Sequence, residues 1–98
     1  MKIYKDKNLT EEVTLDLDFG IVLAGEVKQF QFWVLNDLNA YLKDLKFEVE
    51  HEEVKVLEAP KELEAHAVSE LIFEWSPSVT LKEGLKAKLN VTGIELWG

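Results

Sequence analysis

The chain has 98 residues, 47% of them apolar, and a formal charge of −8 from 19 acidic residues against 11 lysines, with neither arginine nor cysteine. That size carries one domain over residues 1–98, burying about two-thirds of the unfolded chain's surface, and the apolar share argues against general disorder. Lack of cysteine excludes disulfides, thiolate metal sites and cysteine nucleophiles, while an acidic chain without arginine lacks the usual readers of phosphate, against nucleic acid or an anionic membrane surface as direct partner.

Ile3 and Tyr4 suggest a short first strand or arm within residues 1–12, followed by a polar loop. Val13, Leu15, Leu17 and Phe19 alternate with Thr14, Asp16 and Asp18, the period of a half-buried strand. Gly20 lets the chain bend, Ile21 and Leu23 are read as a shifted continuation, and Gly25-Glu26 as a turn. Phe30, Phe32 and Val34 form the next inward row, with Gln29, Gln31, Trp33 and Leu35 on the other face. After the turn cluster Asn36 to Asn39, Tyr41 is placed in a loop. Leu45, Phe47 and Val49 alternate with charged residues, and Lys43–Leu57 reads as a hairpin.

Ala59 to Ala67 is either a helical turn or an extended crossing loop, and the loop is expected. Leu71, Phe73 and Trp75 point inward until Pro77, which cannot donate to a ladder. Leu85, Ala87, Leu89 and Val91 form the last alternating row. The apolar parity switches to Ile94 and Leu96 after Gly93, where a bulge is expected. Strands of this length with turns between them predict an all-β fold, an immunoglobulin-like antiparallel β-sandwich of about seven strands. Its expected core is Leu15, Leu17, Phe19, Phe30, Phe32, Val34, Leu45, Phe47, Val49, Leu71, Phe73, Trp75, Leu85, Leu89 and Val91.

Leu17-Asp18-Phe19-Gly20, the Gly25-Glu26 turn, Phe30-x-Phe32-x-Val34-x-Asn36, Phe73-x-Trp75-x-Pro77 and Gly84 occur in this order. The pattern resembles immunoglobulin-like domains of the abnormal-spindle/Hydin type, which are related to the major sperm protein domain. The resemblance spans residues 13–94. It implies binding or scaffolding without catalysis. A lone module also resembles, in architecture, the accessory or decoration subunits of phage particles.

No G-x-S-x-G, P-loop or H-E-x-x-H pattern is present. His51 and His66 read as surface histidines, and the pairs Asp16/Asp18 and Glu48/Glu50 as solvated strand faces. No enzyme activity, cofactor or metal site is expected. No stretch approaches the roughly 20 apolar residues of a membrane helix. The start lacks the marks of a signal peptide, so a cytoplasmic or virion-associated protein is expected.

Parity instead draws attention to aromatic and aliphatic residues off the inward rows. Trp33, Leu35, Tyr41, Ile72 and Trp97 are the candidate partner-facing patch, and the arm around Ile3 and Tyr4 is a candidate for docking on a neighbour's sheet edge. The expected role is a structural or assembly protein that binds a protein partner or itself. The alternative is an adaptor for a peptide or carbohydrate ligand.

Overall fold

The computed structural model describes residues 1–98, with eight strands and no helix. They are β1 (Lys2–Tyr4), β2 (Glu12–Val13), β3 (Asp16–Gly20), β4 (Lys28–Leu35), β5 (Ala40–Val49), β6 (Val54–Glu58), β7 (Val68–Trp75) and β8 (Leu85–Trp97). One sheet has the order β2-β1-β4-β7-β6 and the other β3-β8-β5. All pairings are antiparallel. The architecture is the expected all-β sandwich, compatible with an immunoglobulin-like domain.

Side chains of both inner faces meet in one apolar core built on Leu17, Phe19, Phe32, Val34, Leu71, Phe73, Trp75 and Leu89. Phe19 from β3 reaches across to the other sheet, edge-on to Phe30, Phe32 and Phe73 with ring centroids 5.0, 6.5 and 5.8 Å away. Each such ring contributes its buried area, about 1.5–3 kcal/mol. The edge-to-face geometry adds about 0.5–1.5 kcal/mol per pair.

Outer faces follow charge. Asp16 and Asp18 on β3 stand opposite Lys88 and Lys86 on β8 in the ladder register. Unlike charges directly opposite favour this register over a one-residue slip, which would also invert the core.

Several expectations are corrected. The row from Val13 to Phe19 is two strands, because the chain passes from one sheet to the other at Thr14-Leu15, and Leu15 is 44% exposed. Ile21 and Leu23 are exposed and lie outside any strand, while Val22 between them is in the core. Lys43–Leu57 is no hairpin: β5 pairs with β8, β6 pairs with β7, and the chain changes sheets at residues 50–53. Alternation records which face a side chain occupies and carries no information on which strand lies beside it. Phe30, Leu45, Val49 and Val91 pack at the core's margin, half-buried.

The bulge is opposite the glycine. Register shifts between Lys43 and Lys46 on β5, where Asp44 takes a φ of +52°, and β8 runs on unbroken. A Cβ at Gly93 would approach Leu45 Cδ2 to 2.7 Å and Lys43 O to 3.2 Å, so any larger residue there requires the Leu45 side chain to shift. Gly84 combines a φ of +78° with a backbone approach, since its Cβ would lie 3.0 Å from the Gly20 carbonyl oxygen.

Residues 59–67 form the expected extended crossing, joined to β5 by Leu42 and Leu63 exchanging backbone hydrogen bonds of 2.9 and 2.8 Å. Asn36 fastens it from beneath. This residue is completely buried. Its Nδ2 donates to the carbonyls of Ala40, Leu63 and Glu64 at 2.8, 3.2 and 2.9 Å, and its Oδ1 accepts the Leu38 N–H at 3.1 Å.

Asn36→Ala should cost about 2–4 kcal/mol in denaturant unfolding, because buried backbone groups lose their partner. Asn36→Asp sets a carboxyl among carbonyl oxygens, where burial and the lone pairs raise its folded pKa. Stability of that variant is therefore retained below the unfolded carboxyl pKa of about 3.9 and lost as pH rises through the raised value. A loss equal at pH 3 and pH 7 would contradict this account.

Candidate interaction surfaces

On the outer face of the five-stranded sheet, register builds a short apolar row. Leu35 lies between Lys2 and Val68, and Trp33 between Tyr4 and Glu70. Ile72 lies between Gln31 and Glu58. Trp33, Leu35 and Ile72 thus share one surface, each half-buried. Tyr4 joins them and is itself buried.

Tyr41 and Trp97 lie elsewhere. Tyr41 belongs to β5, not to a loop, and stands opposite Leu96, with Lys43 opposite Ile94 in the next row. These side chains occupy the outer face at the far end of the β5–β8 ribbon. Ile94 and Leu96 are 47% and 45% exposed, and Trp97, opposite Ala40, is 63% exposed. The Tyr41 hydroxyl faces Glu62 of the crossing loop, and that hydrogen bond, with partial desolvation and the carboxylate's charge, raises its pKa.

The arm does not project. Ile3 is in the core, and β1 is zipped between β2 and β4 of its own sheet. Docking of this segment on a neighbour is thereby replaced, in the folded chain, by docking on β4.

Two further features escaped the sequence reading. At the start of β8, the loop 21–27 is stitched to the loop 76–84 by Gly25 N–H donating to Pro77 O at 3.1 Å and Ala24 N–H to Thr80 Oγ1 at 2.8 Å. Ile21, Leu23, Val27 and Val79 are all more than half exposed there. At the opposite end, β3 stops covering β8. Leu89 donates to Leu15 O at 2.8 Å, and β8 then continues to Trp97 with no strand on that side. Beside this open edge lies a cleft of about 470 Å³ whose lining includes Ile3, Leu15, Leu42, Leu45, Val91 and Glu95.

The polar residues singled out for chemistry are dispersed. His66 Nε2 is 2.7 Å from Asn39 Oδ1 at the surface. His51, half-buried, accepts the Glu53 N–H at 3.3 Å and lies edge-on to Trp75. Asp18 accepts the Gly20 N–H at 2.9 Å, Glu48 meets Lys46 at 3.2 Å, and Glu50 accepts from Asn90 Nδ2 at 3.1 Å. No group of three or more His, Asp or Glu side chains converges as a metal site.

No protein-family model, curated protein or solved structure matches this chain.

Trp33→Ser should lower stability by about 1–2 kcal/mol, the cost of a half-buried ring, against about 3–5 kcal/mol for core Trp75→Ala. Deletion of residues 1–8 should be worse than Trp33→Ser, since it removes Ile3 from the core and bares the β4 edge. Thermal melts of the three variants check the order, and a deletion that melts like the parent would displace Ile3 from the core.

Proposed function

We propose that this protein is a non-catalytic structural or assembly protein acting through protein–protein contacts, an immunoglobulin-like module of the abnormal-spindle/Hydin type. An accessory or decoration subunit of a virion is one form of that role. The observation that carries the reading is where the exposed apolar side chains lie. Ile21, Leu23, Val27 and Val79 gather at one end of β8, and Ile94, Leu96 and Trp97 at the other, on a molecule 48 Å long. Between them, the outer face of β3 and β8 carries Asp16, Asp18, Lys86 and Lys88, while the five-stranded sheet adds the half-buried row of Trp33, Leu35 and Ile72 with exposed Leu57 and Val68 beside it. A chain of net charge −8 disperses well in water, so apolar groups held at both ends are suited to specific contact. Convergence of the motif residues supports the family resemblance. Phe19, Phe30 and Phe73 pack together, and Gly84 abuts Gly20.

An adaptor for a peptide or carbohydrate ligand is the second reading, favoured by the exposed indole of Trp97, which offers a stacking face.

Sedimentation of the protein in extracts of its native source separates the two. An assembly protein migrates with a complex or particle far heavier than one chain, and Val27→Lys or Trp97→Ser releases it. An adaptor migrates alone and gains thermal stability with an oligosaccharide or peptide. Turnover of a small molecule abolished by replacing one histidine or carboxylate would overturn both.

A further inference from the structure

We infer that the unpaired edge of β8 from Val91 to Trp97 is a strand-addition site, and that its occupant is an extended segment of a partner protein bearing a lysine or arginine among β-branched residues. The inference rests on the protein-contact reading above and specifies its mode.

Three observations meet at this edge. The first is backbone polarity. Leu89 donates its N–H toward the β3 side, to Leu15, while Lys88 accepts from Glu50 on the β5 side. Backbone groups of successive strand residues point to opposite sides. Val91, Gly93 and Glu95 therefore turn their N–H and C=O groups outward, where no strand pairs with them. Natural sandwiches blunt such edges with proline, bulges or inward-pointing charges, and Glu95 is the single charge of that kind on this edge. Here the bulge lies on β5, the strand holds no proline, and the free length of seven residues is about 20 Å.

The second observation is the ground on either side. An added strand sets alternate side chains on opposite faces. One set faces the cleft beside Leu15, Leu45 and Val91. The other lies beside exposed Ile94 and Leu96 on the outer face. Both faces accept apolar side chains, and the cleft takes the inward ones.

The third is charge. Glu95 is the one charged side chain lining the cleft, and it stands exposed at the open edge. A cationic side chain on the added strand supplies its counter-charge. A second copy of this chain is the poorer fit. Two chains at −8 repel, and antiparallel pairing of β8 with itself about Ile94 would place two Glu95 carboxylates on one face as diagonal neighbours.

A display library of random seven-residue peptides, selected on the full chain, tests the inference. Enriched peptides should carry Lys or Arg among Val, Ile or Thr. In the best synthetic peptide, backbone N-methylation at one alternate set of residues should weaken binding at least tenfold, while the other set should leave it within about threefold. Glu95→Gln should weaken binding several-fold. Glu95→Pro, which removes an outward N–H, should abolish it in a variant that melts like the parent. If Glu95→Pro fails to fold, the peptide N-methylation series still discriminates, because it leaves the protein unaltered. Failure to enrich any peptide overturns the inference, as do enrichment of acidic or uncharged peptides and indifference to both methylation sets. A chain dimer broken by Trp97→Pro overturns it in favour of a second copy. Sedimentation of the native protein tests the contact reading separately: a heavy complex with a failed library removes strand addition alone.

Discussion

One buried amide holds the two halves of this sandwich in relation. Asn36 directly follows β4 of one sheet, and its Nδ2 reaches the start of β5 in the other sheet and the crossing loop that returns the chain. Backbone carbonyls in a dry interior cost more unpaired than the amide gains paired, so this site tolerates little else. With the amide in place, Leu63 pairs with Leu42, and Lys61 O accepts the Leu45 N–H at 2.9 Å from within the bulge. The bulge in turn presses Leu45 toward Gly93. The path of the exposed β5–β8 ribbon therefore follows from a polar contact at its root.

Period-two alternation made the fold class legible, because face assignment is what that pattern encodes. Leu17, Phe19, Phe32, Val34, Leu71, Phe73, Trp75 and Leu89 all lie inside as their parity requires. Partner assignment is a different quantity. The same alternation in Leu45 to Val56 suits a hairpin or a change of sheet, and the chain changes sheet. Leu15 continues its row in sequence but sits at a crossover, where parity stops meaning burial. Asn36 is hidden in a run that reads as a polar turn. Two of its four side-chain hydrogen bonds go to Leu63 and Glu64, whose approach no local pattern announces.

The interaction surfaces were legible in part for the same reason. Opposed parity turns Trp33, Leu35 and Ile72 away from the inward rows of their own strands, a local inference, and the β4–β7 pairing then brings them onto one outer face. Grouping Tyr41 and Trp97 with them requires knowing which sheet each strand joins. Ile94 and Leu96 stand out in the sequence as a parity switch. An extra residue in β8 would produce such a switch, yet the extra residue is in the neighbouring strand. Their exposure is the direct consequence: β8 keeps its phase, and apolar residues arrive on the wet side.

The mismatch between β3 and β8 is what gives the molecule its asymmetric ends. β3 spans five residues and β8 thirteen. A sandwich closed by equal strands would bury Leu15 and Val91 under a continued β3 and leave neither cleft nor open edge. Instead the chain places residues 12–13 on the opposite sheet, clamping β1, before it crosses. The same two residues cannot both extend the β3 ladder and secure Ile3 in the core. Pairing with β1 keeps Ile3 in the core, worth about 1.5–3 kcal/mol, and supplies ladder partners in place of those a longer β3 would have made. The free edge of β8 is thus the energetic counterpart of a well-anchored first strand.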